Sequence, residues 1–144
     1  MKVVIADDSQ LILTRIQEKV GMYKGVEIVG AYKNGTDTLA ALKFFKPDLA
    51  IVDINMPGLN GLDVLEEIRK EDTSLMFVIL TFNSSEFYRR KAVELGVDYF
   101  LSKVDDEDKL SQVIEEMLRE EKKMKVLIHH KANTFNGHSI NGIH

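Results

Sequence analysis

The sequence contains no cysteine, and none of its apolar runs is long. Without cysteine, disulfide scaffolds, cysteine-ligated metals and thiol chemistry are excluded. Runs such as residues 3–6, 49–52 and 76–80 are far shorter than the ~20 apolar residues of a membrane span. The net charge of −4 argues against a nucleic-acid surface. Because no secretory signal opens the sequence, we expect a cytoplasmic protein that binds neither membrane nor nucleic acid.

Composition is that of an ordinary globular domain, with 44% hydrophobic and 29% charged residues. The 144 residues suffice for one domain with a single core. After about residue 125 the chain becomes rich in Asn, Gly and His. We therefore expect one domain over residues 1–122. Residues 123–144 would be a tail, either disordered or derived from an expression vector.

Short β-type runs alternate with amphipathic helical stretches along the chain. Buried apolar runs predict strands at residues 2–6, 26–31, 48–52, 76–80 and 97–101. Helical spacing predicts helices at residues 9–20, 36–45, 62–68, 88–95 and 107–120. Five strands that are each followed by a helix require a parallel sheet with helices on both faces. The predicted fold class is α/β, a doubly wound five-stranded parallel sheet.

Polar residues stand where four of these strands end. In such a sheet, ligands bind beyond the carboxyl ends of the strands. Asp7 and Asp8 follow the first strand, Asp53 the third, Thr81 the fourth, and Lys103 the fifth. Crowded carboxylates are unfavourable unless a cation joins them. Oxygen ligands without His or Cys are those that Mg²⁺ prefers, and Mn²⁺ accepts them as well.

The same set of groups suits a phosphoryl ligand. A dication, an ammonium and a hydroxyl can together neutralise phosphoryl charge, and a carboxylate can attack phosphorus to form an acyl phosphate. Asp53, at the end of the central strand, is the best candidate acceptor. Each residue alone has a simpler explanation: Asp8 or Ser9 could cap a helix, Lys103 could be solvated, and Thr81 could bond to backbone. Compatible chemistry at four strand ends favours a shared site.

Four segments now indicate a family: IADDSQ at residues 5–10, DINMPGLNG at 53–61, VILTF at 78–82 and GVDYFLSK at 96–103. They resemble the CheY-like receiver domains of two-component response regulators, and the resemblance covers residues 1–119. It implies a flavodoxin-like (βα)5 fold with strand order 2-1-3-4-5, as known for CheY. It also implies a signalling domain that catalyses only its own phosphorylation and dephosphorylation, and not an enzyme in the usual sense.

By this resemblance, Asp53 is the phosphoacceptor. Asp7, Asp8, Asp53 and the backbone carbonyl of Asn55 would hold Mg²⁺ or Mn²⁺. The donor would be a sensor histidine kinase or a phosphotransfer protein. Gly61 would begin the third helix at a point where the backbone is crowded.

The resemblance also implies a switch. Thr81 would hydrogen-bond the phosphoryl oxygen and Lys103 would pair with it. Phe100 would turn inward when Thr81 moves, while Tyr99 would face the other side of the strand. The readout surface would consist of helix 4, strand 5 and helix 5, and it would act on a downstream effector protein or domain. No effector domain is visible in the sequence, so a stand-alone regulator and a receiver cut from a longer protein are both open.

Charges on this surface suggest a partner. Basic residues at 89–91 lie in the fourth helix, and acidic residues at 105–108 open the fifth. Opposite charges on adjoining elements would suit a homodimer through helix 4, strand 5 and helix 5. Two solvated helix faces explain the same pattern equally well, because exposed charges carry little energy.

Two residues depart from the family pattern. Val104 replaces the usual proline after the lysine, and Phe82 replaces the usual small residue after the threonine. These changes leave open a pseudo-receiver, a binding module that works without phosphorylation. An aspartate-nucleophile phosphohydrolase is disfavoured because Asn55 cannot act as its general acid. A flavin-binding flavodoxin is rejected because an acidic pair stands where a phosphate-binding loop would be.

Overall fold

A computed structural model describes the backbone of residues 1–141 and the side chains of residues 1–134. The part of the predicted tail beyond residue 141 lies outside the described residues. The described part divides into two compact units, which separate between Leu110 and Ser111. None of its helices combines the length and apolar character that crossing a membrane requires.

Five strands alternate with five helices in the described chain. The strands are β1 (Lys2–Ala6), β2 (Glu27–Tyr32), β3 (Leu49–Val52), β4 (Met76–Thr81) and β5 (Tyr99–Ser102). The helices are α1 (Gln10–Gly21), α2 (Gly35–Phe45), α3 (Gly61–Arg69), α4 (Glu86–Glu94) and α5 (Glu107–Asn141). All paired strands are parallel, in the order β2-β1-β3-β4-β5. The predicted doubly wound, flavodoxin-like α/β fold is confirmed.

The first unit is built on two apolar faces of this sheet. On one face of the sheet, alternate strand residues pack with α2, α3 and α4; examples are Val52 and Phe77 with Leu65. The opposite face includes Ile5 and Ile51, and α1 packs against β1 and β2 on that face. Burial on both faces is typical of parallel strands. It leaves the strand ends as the places where polar groups can gather.

Side-chain caps begin the helices that follow β1 and β3. The Ser9 hydroxyl accepts the Ile12 N–H at 3.4 Å, so Ser9 caps α1 and the Asp8 side chain is not used for this purpose. At α3, Asn60 and Asp63 form a reciprocal capping box. Such caps satisfy N–H groups that lack a helical partner.

The last helix differs from the prediction. α5 extends to Asn141, whereas the sequence predicts an end near residue 120. The backbone of residues 123–141, which the sequence assigns to a tail, is part of this helix. Strong helix formers fill residues 115–125, and the Glu121–Lys125 pair at 3.1 Å supports the helix, so an apolar face is not needed to continue it. The division at residue 122 and the origin of the tail stay predictions.

Candidate functional site

Three carboxylates converge at the carboxyl edge of the sheet. Asp7 follows β1 and Asp53 follows β3, and their residues are 1% and 5% exposed. Asp8 is exposed beside them. Each offers one oxygen, and these three atoms lie within 4.8 Å of one another. The spatial convergence that the sequence predicts is therefore present in the structure.

Lys103 completes this cluster with a positive charge. Its Nζ donates to Oδ2 of Asp7, and to Oδ2 of Asp53 at 2.9 Å. The Lys103 side chain is only 6% exposed. Its backbone N–H donates to the Thr81 carbonyl at 3.0 Å, which extends the β4–β5 pairing and points the side chain into the site. Two buried carboxylates therefore share one ammonium.

The charges at this edge are incompletely compensated. Burial raises the pKa of Asp7 above its ordinary value, although the Lys103 ammonium and the Ser9 N–H oppose that shift. Asp53 Oδ1 is buried and has no hydrogen-bond partner among the described residues. An unpartnered buried polar atom costs about 1–3 kcal/mol. Asp53 Oδ1 therefore lacks a positive or donor group that would satisfy it.

A hard dication fits the groups that are present. The donor set of Asp7, Asp8 and Asp53 consists of carboxylate oxygens alone, which matches Mg²⁺ or Mn²⁺ better than softer metals. The unpartnered Oδ1 of Asp53 provides a free ligand atom. Asn55 lies in the exposed loop after β3, and its carbonyl stays a predicted ligand.

Thr81 and Phe100 occupy the neighbouring strands. Thr81 is fully buried, and its hydroxyl accepts the Asn83 N–H at 3.1 Å. Phe100 is 6% exposed, whereas Tyr99 is 38% exposed, so the two rings face opposite sides of β5 as predicted. The Arg89 guanidinium of α4 lies 4.8 Å from the centre of the Phe100 ring. The structure thus shows Phe100 inward, and its movement on phosphorylation stays a prediction.

Two glycines hold the loop after the acceptor. A Cβ on Gly61 would lie 2.2 Å from the Asp53 carbonyl oxygen, which explains the predicted crowding at the start of α3. A Cβ on Gly35 would lie 1.8 Å from the Leu59 carbonyl oxygen. The sequence indicates only a turn at Gly35. Its packing against a loop 24 residues away has no local signal.

Sequence reasoning missed the residues that shape the lysine loop. Ser102 Oγ accepts the N–H groups of Val104 at 3.1 Å and Asp105 at 3.3 Å. Asp106 Oδ2 accepts the Ser102 N–H at 2.8 Å, and this bond lowers the pKa of Asp106. These bonds organise the loop where the family has proline. The Ser-x-x-x-Asp spacing after a strand could have indicated them, since both residues commonly bond to nearby backbone.

Comparisons with known proteins agree with this geometry. The family model described as "Response regulator receiver domain" matches residues 3–115. The DNA-binding transcriptional activator EvgA of Escherichia coli K12 is 29% identical over 115 residues, which cover 80% of this chain and 56% of EvgA. The transcriptional regulatory protein DesR of Bacillus subtilis is 30% identical over 118 residues, or 82% and 58% of the two chains. The chain thus spans a little over half the length of these relatives.

Solved structures show the same architecture. A DNA-binding response regulator of the LuxR family from Staphylococcus aureus matches with a TM-score of 0.75 and 30% identity, over 80% of this chain and 96% of that one. The receiver domain of a NarL regulator from Mycobacterium tuberculosis gives a TM-score of 0.75 at 22% identity, over 82% and 95%. At that identity the second likeness supports the fold alone.

Proposed function

Because the chain belongs to the response regulator receiver family, we propose that it accepts a phosphoryl group on Asp53 and uses it to switch a binding surface. All the predicted site residues lie inside the matched region, residues 3–115. One observation carries the proposal. The buried Asp53 Oδ1 has no partner in the described part of the chain, and it stands among carboxylates that fit a dication.

The transfer would use Asp53 as the nucleophile. A histidine kinase or a phosphotransfer protein would supply phosphohistidine. An Oδ–P bond forms while the N–P bond breaks, and the electron pair of the broken bond returns to the imidazole nitrogen. Mg²⁺ or Mn²⁺, held by Asp7, Asp8, Asp53 and the Asn55 carbonyl, would neutralise charge on the phosphoryl oxygens. Hydrolysis of the acyl phosphate would reset the domain, which acts on no separate substrate.

The switch would follow from contacts that the new group changes. Lys103 now donates to Asp7 and Asp53, and it would turn toward a phosphoryl oxygen. The Thr81 hydroxyl would give up the Asn83 N–H and donate to another phosphoryl oxygen. Asn83 belongs to the loop before α4, and Arg89 of α4 lies over Phe100. Phosphorylation would therefore change the relative populations of two arrangements of α4 and β5.

The switched surface would act on a downstream effector protein or domain. EvgA is named a DNA-binding activator and DesR a transcriptional regulator, and each is longer than this chain. We place the receiver upstream of such an effector, in the cytoplasm. The acidic receiver itself would bind neither nucleic acid nor membrane.

A homodimer through α4, β5 and the start of α5 is a separate proposal. Some charged residues of this surface already form ion pairs within one copy: Arg90 pairs with Glu86 at 3.4 Å, and Lys109 pairs with Asp106 at 3.2 Å. Size-exclusion chromatography with and without beryllofluoride tests it. Earlier elution with the mimic is expected, and an unchanged volume counts against the dimer alone.

Incubation with Mg²⁺ and acetyl phosphate tests the central claim. Intact-mass spectrometry should show one added phosphoryl group on the wild type, and none on Asp53→Asn or after chelation of the metal. Asp105→Asn is the matched control, because it removes an exposed aspartate near the site and should still gain the mass. Equal labelling of wild type and Asp53→Asn would refute the acceptor. No labelling of any protein would favour a pseudo-receiver.

A further inference from the structure

Phe82 makes a contact that its place in the sequence does not explain. The residue directly follows Thr81, and it is 59% exposed. Its ring centre nevertheless lies 4.9 Å from Lys103 Nζ. That distance is within the range of a cation–π interaction, in which the negative face of the ring attracts an ammonium.

The ammonium has three donors, and the described contacts account for them. Two oxygens, one each on Asp7 and Asp53, take two N–H groups. The third can face the Phe82 ring. The ring therefore offers a third favourable contact for a charge that is 6% exposed. Without it, the two carboxylates would be the only described groups in contact with the ammonium.

A turn holds the backbone that carries the ring. The Thr81 hydroxyl accepts the Asn83 N–H at 3.1 Å, and the Phe82 carbonyl accepts the Ser84 N–H at 3.2 Å. If Thr81 gives up its bond to bind a phosphoryl oxygen, this turn loosens at Phe82. The aromatic contact of Lys103 is thus linked to the state of the threonine.

We propose that Phe82 is a positioning residue for Lys103. Its ring holds the ammonium over Asp7 and Asp53 in the metal-free protein, and so sets how readily a divalent cation displaces that ammonium. This rests on the proposed function, since it concerns the same carboxylates. A ring that acted only through its bulk would restrict access to the pocket without changing the position of Lys103.

The contact itself can be measured without metal or phosphoryl donor. In the metal-free protein, NMR should show an upfield ring-current shift of the Lys103 Cε protons. We expect the shift to persist in Phe82→Tyr and to disappear in Phe82→Leu. Phe87→Leu is the control, because Phe87 is also exposed, at 73%, and its ring lies against Tyr88. A Lys103 shift that is the same in wild type and Phe82→Leu would overturn the proposal.

The consequence for the metal can be measured as Mn²⁺ affinity, from the EPR signal of the free ion. A cation–π contact at an exposed site corresponds to about two- to fivefold in an equilibrium constant. Phe82→Leu should therefore bind Mn²⁺ about two- to fivefold more tightly than wild type, and Phe82→Tyr should match wild type. Pentafluorophenylalanine at position 82 keeps the bulk but reverses the charge of the ring face, so it should behave like leucine.

Wild-type affinity in the pentafluorophenylalanine protein would show that the ring acts through its size, and would overturn the proposal. If the proposed function itself is wrong, the Mn²⁺ affinities show a different pattern. In that case Asp53→Asn would bind Mn²⁺ as well as the wild type does. If Asp53→Asn is weakened while Phe82→Leu equals wild type, only the role of Phe82 is lost.

Discussion

Charged residues are paired at the amino edge of the sheet but not fully paired at the carboxyl edge. At the amino edge, Arg69 donates to the carbonyls of Gly96 at 2.9 Å and Leu75 at 2.7 Å, and to Asp98 Oδ2 at 2.8 Å. Asp98 Oδ2 also accepts the Phe77 N–H at 2.7 Å. One cation and one carboxylate are thus matched, and both are tied to the backbone. This edge joins α3, α4, β4 and β5.

At the carboxyl edge the charges do not balance. Asp7, Asp8 and Asp53 cluster here, and Lys103 pairs with Asp7 and Asp53, which leaves a net charge of −2 for this group, from three negative charges and one positive. Asp53 Oδ1 has no partner in the described part of the chain. The difference indicates that the amino edge stabilises the fold, while the carboxyl edge keeps unsatisfied groups for a ligand. Functional sites commonly carry such unfavourable groups.

Removal of Arg69 should have the largest effect on stability. Arg69→Met removes the cation that pairs with Asp98 and the donor to three backbone carbonyls, so we expect a loss of about 3 kcal/mol in the free energy of unfolding. Urea denaturation measures it. Arg90→Met is the control, because Arg90 is 78% exposed with one exposed pair, and it should cost less than about 0.5 kcal/mol. Equal losses of stability in Arg69→Met and Arg90→Met would mean that the Arg69 contacts contribute no more than an exposed ion pair does.

Divalent metal should stabilise the carboxyl edge. At ten times its dissociation constant, Mg²⁺ should raise the free energy of unfolding by about 1.4 kcal/mol through binding to the folded state alone. NaCl at the same ionic strength should not reproduce the gain, and Asp53→Asn should reduce it. Arg69→Met should retain the full gain, since distant sites add independently. A gain that is lost in Arg69→Met but kept in Asp53→Asn would reverse the assignment of the two edges.

Neutralising one aspartate at each edge should change stability in opposite directions. Asp53→Asn relieves repulsion among the carboxylates, so it should raise the free energy of unfolding by about 1 kcal/mol in metal-free buffer. Asp98→Asn weakens the partner of Arg69, so it should lower that free energy by a similar amount. Both substitutions preserve shape, which makes each the control of the other. A loss of stability in both variants would show that the charges at the carboxyl edge are already balanced in the metal-free protein.

The carboxyl edge could be predicted from the sequence, because parallel strands bring their ends together whatever the loops do. Asp7, Asp53 and Lys103 follow from that rule and from the positions of the strands. The amino edge could not be predicted. Arg69 is one cation at the end of an amphipathic helix, and three of its acceptors are the backbone carbonyls of Gly96, Asp72 and Leu75, which carry no residue-type signal.

Contacts that depend on side-chain rotamers and distant packing were also beyond the sequence. Phe82 could be identified as unusual, but its approach to Lys103 requires knowledge of the turn at residues 81–84. The length of α5 was missed because periodicity detects an apolar face, whereas charge pairs and helix formers can continue a helix without one.

The smallest expected effect is a pH dependence of opposite sign at the two edges. At the carboxyl edge, burial raises the pKa of Asp7 above its ordinary value of 3.8. At the amino edge, partial burial raises the pKa of Asp72, but hydrogen bonds from Ser74 and Leu75 and the charge of Arg69 outweigh it and lower the pKa below 3.8.

The folded protein therefore binds the Asp7 proton more tightly than the unfolded chain does. Wild type should gain stability over Asp7→Asn as the pH falls through the raised folded-state pKa toward 3.8. The stabilisation from Asp72 is present above 3.8, and it is lost as the pH falls below that value through the lowered folded-state pKa. Unfolding free energies of wild type, Asp7→Asn and Asp72→Asn in metal-free buffer, from about pH 6 to about pH 3, measure both slopes. Slopes of the same sign would mean that the two edges do not differ in how they hold their carboxylates.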